Sequence, residues 1–80
     1  MKAKDLKIGD ILFFCSDNPI YKVSGLLGVV LESVRMHPRR AFPTLRIKWY
    51  NNGNSFTEEN CEQYINEWFK DKILTRMKFR

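Results

Sequence analysis

The sequence predicts a mainly β fold, in which five short strands form a small barrel and one short α-helix precedes the last strand. Eighty residues allow one domain with a small core, so residues 1–80 are interpreted as a single domain. Short apolar runs alternate with turns rich in Gly, Pro and Asn, and near residue 60 the apolar period changes from two to about 3.6. Five short strands are too few for two packed sheets, and a barrel removes exposed edges.

The first two strands are predicted at residues 11–15 and 26–36. A Gly9-Asp10 turn precedes the first strand, and residues 16–24 form a loop. The second strand is apolar without strict alternation, and Gly28 suggests a bulge or a close crossing of chains. We therefore expect this strand to be bent and buried on both faces.

The third strand, residues 44–50, has the clearest pattern in the chain. Leu45, Ile47 and Trp49 fall on one face, while Arg46, Lys48 and Tyr50 fall on the other. The stretch Asn51-Asn52-Gly53-Asn54 is typical of a hairpin turn. A short fourth strand is predicted to return at residues 55–57.

The helix is predicted at residues 61–70, where apolar residues recur at helical spacing. Asn60 is expected to cap it, with Gln63 three residues later. The last strand is predicted at residues 73–79. Its inner face is expected to carry Ile73, Thr75, Met77 and Phe79, and its outer face Leu74, Arg76, Lys78 and Arg80.

Composition and motifs argue against several classes of function. No apolar run approaches the length of a membrane span and no signal-peptide pattern precedes Asp10, so a cytoplasmic location is expected. Two cysteines and one histidine predict no disulfide framework, metal site or cofactor. Cys15 and Cys61 lie in apolar contexts and are expected to be buried and unreactive, and His37 to face solvent. The chain is therefore not expected to be an enzyme.

The net charge of +5 is unevenly distributed, and basic residues dominate from Arg35 to Lys48. Cations there could meet phosphates, while Tyr50 could stack on an unpaired base. The candidate nucleic-acid-binding residues are Arg35, Arg39, Arg40, Arg46, Lys48 and Tyr50.

Three segments resemble small SH3-like barrels of the KOW type, which are common among uncharacterised bacteriophage proteins. They are residues 7–12 (KIGDIL), residues 28–32 (GVVLE), and residues 45–49 (LRIKW) followed by Asn52-Gly53. The resemblance implies an SH3-like barrel, a phage origin, contacts with RNA or with the transcription or translation machinery, and location in the host cytoplasm or the virion. A helix where such barrels have a single turn is a departure from the family.

The interpretation that we favour is a non-enzymatic module that binds another protein, either a virion component or a modulator of a host protein. Trp68 and Phe69 are adjacent in the predicted helix and must face different directions. An exposed aromatic there, beside Lys72, would suit a binding hot spot. The partner could be viral, host-derived or a second copy of the chain. Nucleic-acid binding through Arg39, Arg40, Arg46 and Lys48 is the alternative.

Overall fold

The protein is described by a computed structural model, which places residues 1–16 and 25–77. A 3-10 helix (Ala3–Asp5) comes first, followed by five strands and one α-helix. The prediction of a mainly β fold with a short helix before the last strand is confirmed. In chain order the elements are β1 (Ile11–Phe14), β2 (Leu26–Arg35), β3 (Thr44–Asn51), β4 (Asn54–Cys61), α1 (Glu62–Lys70) and β5 (Leu74–Met77).

All five strands belong to one antiparallel sheet with the order β4-β3-β2-β1-β5. The first four strands therefore neighbour one another in sequence order, and the last strand pairs beside the first. Within the described residues β4 and β5 are the two edges of the sheet and do not pair. The sheet is thus open, and its closure into a barrel is not shown.

The alternation predicted for β3 is confirmed, because Leu45, Ile47 and Trp49 are almost completely buried. Trp49 packs on Gly28 of β2. A Cβ atom added to that glycine would lie 2.7 Å from Cζ3 of the indole. The glycine therefore marks a close approach, as predicted, because a side chain there would overlap the ring.

The hairpin between β3 and β4 is confirmed, and β4 is longer than predicted. Asn52 and Gly53 both have positive φ, as a two-residue type I′ turn requires. The pairing then continues from Asn51–Asn54 to Thr44–Cys61. β4 is a sheet edge whose first five residues are exposed, so it lacks the apolar pattern by which its full length could have been predicted.

The predicted cap of α1 is wrong. The helix begins at Glu62, and Cys61 occupies the N-cap position without a side-chain hydrogen bond. Asn60 is instead buried at the end of β4, where its Oδ1 accepts a bond of 3.2 Å from Trp49 Nε1 and its Nδ2 donates to Glu58 over 2.6 Å. The Asn60 side chain therefore satisfies the buried indole N–H and does not cap the helix.

The predicted inner face of β5 is also wrong. Leu74 is buried, whereas Thr75 and Met77 are exposed. Leu74 is opposite Phe14 in the β1–β5 register, and this pairing turns the even-numbered residues toward the core. Because side chains alternate along a strand, an error of one residue in register reverses both faces. The prediction for Phe79 lies outside the described residues.

The core lies on one side of the sheet, under α1 and the amino-terminal segment. It contains ten buried apolar residues: Ala3, Leu6, Leu12, Phe14, Val30, Leu45, Ile47, Trp49, Ile65 and Leu74. The Ala3 N–H donates to Asn66 Oδ1 over 2.7 Å and so ties the amino-terminal segment to α1. The expected burial of both cysteines is wrong, because Cys15 is exposed and Cys61 half-buried. Among the described residues, no helix has the length and apolarity needed to cross a membrane.

Candidate binding surfaces

The predicted basic surface lies on the outer face of the sheet, which is the face opposite the core. Arg46, Lys48 and Tyr50 alternate with the buried residues of β3 and therefore point to this side. The register places Glu32 of β2 and Glu59 of β4 on either side of Arg46. Acidic and basic side chains therefore meet on this surface.

Glu59 forms ion pairs with two of the predicted site residues. Its Oε2 lies 2.6 Å from Nη2 of Arg40, and its Oε1 lies 3.3 Å from Nη2 of Arg46. Nη1 of Arg46 also lies 3.4 Å from Glu32. The hydrogen bond from Arg46, together with the charges of Arg40, His37 and Arg46, lowers the pKa of the Glu59 carboxyl below its usual value, although partial burial opposes the shift. The positive charge of both arginines is thus partly compensated within the protein.

The other predicted residues of this set are spread over the outer face and the loop that leads into β3. Arg35 ends β2, and its Nη2 lies 3.5 Å from Nδ1 of His37. Arg39 is exposed in the turn that follows His37. The Lys48 ammonium lies 5.5 Å from the centre of the exposed Tyr50 ring, within the range of a cation–π contact.

The second predicted surface required one exposed aromatic side chain on α1, and neither Trp68 nor Phe69 is exposed. Trp68 and Phe69 are both half-buried against the core, and Trp68 meets the edge of Phe14 with 5.1 Å between the ring centres. Lys72 is exposed just after the helix and has a φ of +61°. The two aromatic side chains therefore pack the helix against the core, and Lys72 lies in solvent beside them.

The structure reveals a third surface that was not predicted. Apolar side chains form a continuous group on the outer face of the strands β5, β1, β2 and β3. Phe13 is registered with Leu27 and Thr75, Leu27 with Tyr50, and Ile11 with Met77. We call this group the outer patch; its members are Ile11, Phe13, Leu27, Val29, Leu31, Tyr50 and Met77.

The outer patch is large for a solvent-facing surface. Five of its seven members are 36–43% exposed, and Ile11 and Val29 are half-buried. With roughly 200 Å² for each large side chain, the exposed area is on the order of 400 Å². Apolar patches of this size on monomeric proteins often have a binding function.

The sequence contained a signal for this surface in β2. Leu27, Val29 and Leu31 alternate with Gly28 and Val30, so these two sets of residues lie on opposite faces of the strand. If one set faces a core on one side of the sheet, the apolar side chains of the other set face away from it. The expectation that β2 is buried on both faces concealed this signal. The bulge in β2 falls at Leu31, where the register shifts between Val30 and Glu32. The bulge is therefore three residues beyond Gly28, where the sequence suggested a bulge or a close crossing, and the expected burial of both faces is wrong because Leu27 and Leu31 are exposed.

Across residues 1–16 and 25–77, no group of three or more His, Cys, Asp or Glu side chains is arranged to hold a metal ion. Comparison of the chain with models of protein families, with curated proteins and with solved structures matched none of them.

Proposed function

We propose that the chain is a small, non-enzymatic module that binds another protein chain through the outer patch. The observation that supports this function best is an apolar area on the order of 400 Å², built from side chains on four neighbouring strands. Regular strands hold these side chains in place, so little conformational entropy is lost when a partner covers them. Phe13 and Tyr50 supply the large aromatic side chains common in protein interfaces.

The proposal also includes the SH3-like barrel and the phage origin implied by the resemblance. The strand order supports the first of these, because four strands in sequence order are followed by a fifth that pairs beside the first. In this interpretation the partner is a virion protein, a host protein or another copy of the chain. The outer patch replaces Trp68, Phe69 and Lys72 as the proposed contact surface, since the two aromatics pack on the core.

Site-specific photo-cross-linking tests this function. A photoreactive phenylalanine analogue replaces Phe13 in the outer patch, or Phe42 in the exposed loop before β3 as a matched control. After irradiation of bacterial cells that express either variant, we expect adducts of discrete mass from position 13 only. No adduct from position 13, or the same adducts from both positions, would contradict the proposal.

Nucleic-acid binding is the second candidate, and the arrangement of Lys48 and Tyr50 favours it. The ammonium lies over the exposed ring, and no ion pair to Lys48 occurs in the described part of the chain. A cation beside an exposed aromatic suits the phosphate and the base of a single strand.

Fluorescence anisotropy with labelled single and double strands, at about 50 and 200 mM salt, tests this candidate. If it is correct, affinity falls steeply between the two salt concentrations, and Lys48→Glu abolishes binding. Lys70→Glu makes the same charge change at an exposed position of α1 and should bind almost as the wild type does. Absence of binding at the lower salt concentration, or equal losses in both variants, would exclude it.

A further inference from the structure

The charge on the outer face differs from the charge on the rest of the chain. The chain carries +5. We consider the stretch of β2 from Leu27 to Glu32 and the described residues of β3 and β4 that are in register with it. Four charged side chains of this region lie on the outer face, two acidic and two basic: Glu32, Glu59, Arg46 and Lys48. Three of these four are paired with one another. Arg40, which pairs with Glu59 from the loop before β3, brings the total to +1, so two such faces can approach with little net repulsion between them.

The exposed area suits an interface between two such faces. A standard protein interface buries about 1,200–2,000 Å² in total. Two outer patches contribute on the order of 800 Å² of apolar surface, and the polar rims around them add the remainder. One patch against a polar partner would leave part of that area without an apolar counterpart.

We propose that the outer patch binds the outer patch of a second copy of this chain, around a two-fold axis that lies between the two faces and runs along β2, over Leu27 and Val29. This inference rests on the proposed function and specifies its partner. Two sheet faces pack about 10 Å apart with their strands within about 30° of parallel. The axis places β1 of each copy opposite β3 of the other. Since Phe13 and Tyr50 are both in register with Leu27, Tyr50 of each copy then lies opposite Phe13 of the other, where two aromatic rings can pack.

Sedimentation equilibrium of the full chain is the direct test. At about 0.15 M salt, the average mass should rise from 9.6 kDa toward twice that value as the loading concentration increases from about 1 µM to about 1 mM. Leu27→Lys should raise the dissociation constant at least tenfold. Phe42→Lys removes an exposed apolar residue and adds the same charge outside the patch, so it should dimerise as the wild type does.

A mixture of two variants tests the symmetry. The axis brings the two Leu27 side chains close together, so Leu27→Glu and Leu27→Lys should each be monomeric alone and should form a heterodimer when mixed. Thermal unfolding by circular dichroism verifies that each variant is folded. If Leu27→Lys does not fold, Phe13→Lys and Phe13→Glu replace the pair as single-variant tests of dissociation.

Three results would overturn the inference: a monomer at about 1 mM, dissociation constants that agree for wild type and Leu27→Lys, or no heterodimer from two folded, monomeric Leu27 variants. The cross-linking result separates this inference from the proposed function. Adducts from position 13 that contain only a different protein would refute the dimer and leave the protein-binding function in place. No adduct and no dimer would refute both.

Discussion

Glu59 determines how much of the predicted basic surface is available to a partner. Its two carboxylate oxygens contact Arg40 and Arg46, and Arg46 also reaches Glu32. Arg35, Arg39 and Lys48 are then the basic residues of the predicted set without an ion pair in the described part of the chain. An anionic ligand at Arg46 would have to replace internal ion pairs, which favours an interaction through the neighbouring apolar side chains.

The same carboxylate predicts a dependence of stability on pH. The folded-state pKa of Glu59 is lowered from its ordinary value of 4.5, so the contribution of the ionised form is complete above 4.5. It is lost as the pH falls below 4.5 and passes through the lowered pKa. Glu59→Gln should therefore show a smaller loss of unfolding free energy than the wild type over this acidic range.

Urea denaturation at a series of pH values from 7 downward measures this difference. Glu67→Gln removes one carboxylate from an exposed position of α1 and is the matched control. If Glu59→Gln and the wild type lost stability in parallel, the ion pairs with Arg40 and Arg46 would have no energetic role in the fold.

At the scale of the element, the end of α1 is closed by a Schellman motif. The Ile73 N–H donates to the Trp68 carbonyl over 2.9 Å, and the Lys72 N–H donates to Phe69 over 3.1 Å. Lys72, the first of these two donors along the chain, adopts a left-handed backbone with a φ of +61°. Glycine is the usual residue at this position because a Cβ atom is strained there.

Lys72→Gly should therefore stabilise the protein by about 1 kcal/mol, because it removes that strain. Lys72→Ala also removes the charge and the long side chain but keeps the Cβ atom, so it should give no such gain. Thermal or urea unfolding of the two variants measures the difference. Equal stabilities would mean that the turn after α1 tolerates the left-handed backbone without cost.

The elements differ in how far the sequence determines them. β3 was predicted correctly because Leu45, Ile47 and Trp49 alternate with polar residues. β5 has apolar residues at both parities, with Leu74 at one and Met77 at the other, so pairing with β1 decides which parity faces the core. Asn60 satisfies the pattern of a helix cap, and only the position of Trp49 shows that its amide belongs to the core.

At the scale of the whole molecule, the amino-terminal segment completes the core. Ala3 and Leu6 are almost fully buried, and Ala3 is bonded to Asn66 across 63 residues of sequence. The short segment MKAKDL has no strand or helix pattern of useful length, so its burial was not predicted. The outer patch also escaped prediction, since it depends on which strands are neighbours in the sheet.

Leu6→Ala tests this role. The substitution should lower the free energy of unfolding by about 2–5 kcal/mol, because it leaves a cavity where α1 and the sheet meet. Ile8→Ala removes a similar side chain that is 71% exposed, and should change stability by no more than about 0.5 kcal/mol. Urea denaturation of both variants measures the contrast, and similar small losses would show that the segment contributes little to the core.

The position of β5 beside β1 has a consequence for synthesis on the ribosome. β1 is made about 60 residues before β5, which is one of its two neighbours in the sheet. At about 5–20 residues per second, the nascent chain exposes one edge of the apolar strand ILFF for several seconds. Over that time a newly made chain offers this edge to chaperones or to other nascent chains, and the exposure ends only when β5 has been made and pairs with β1.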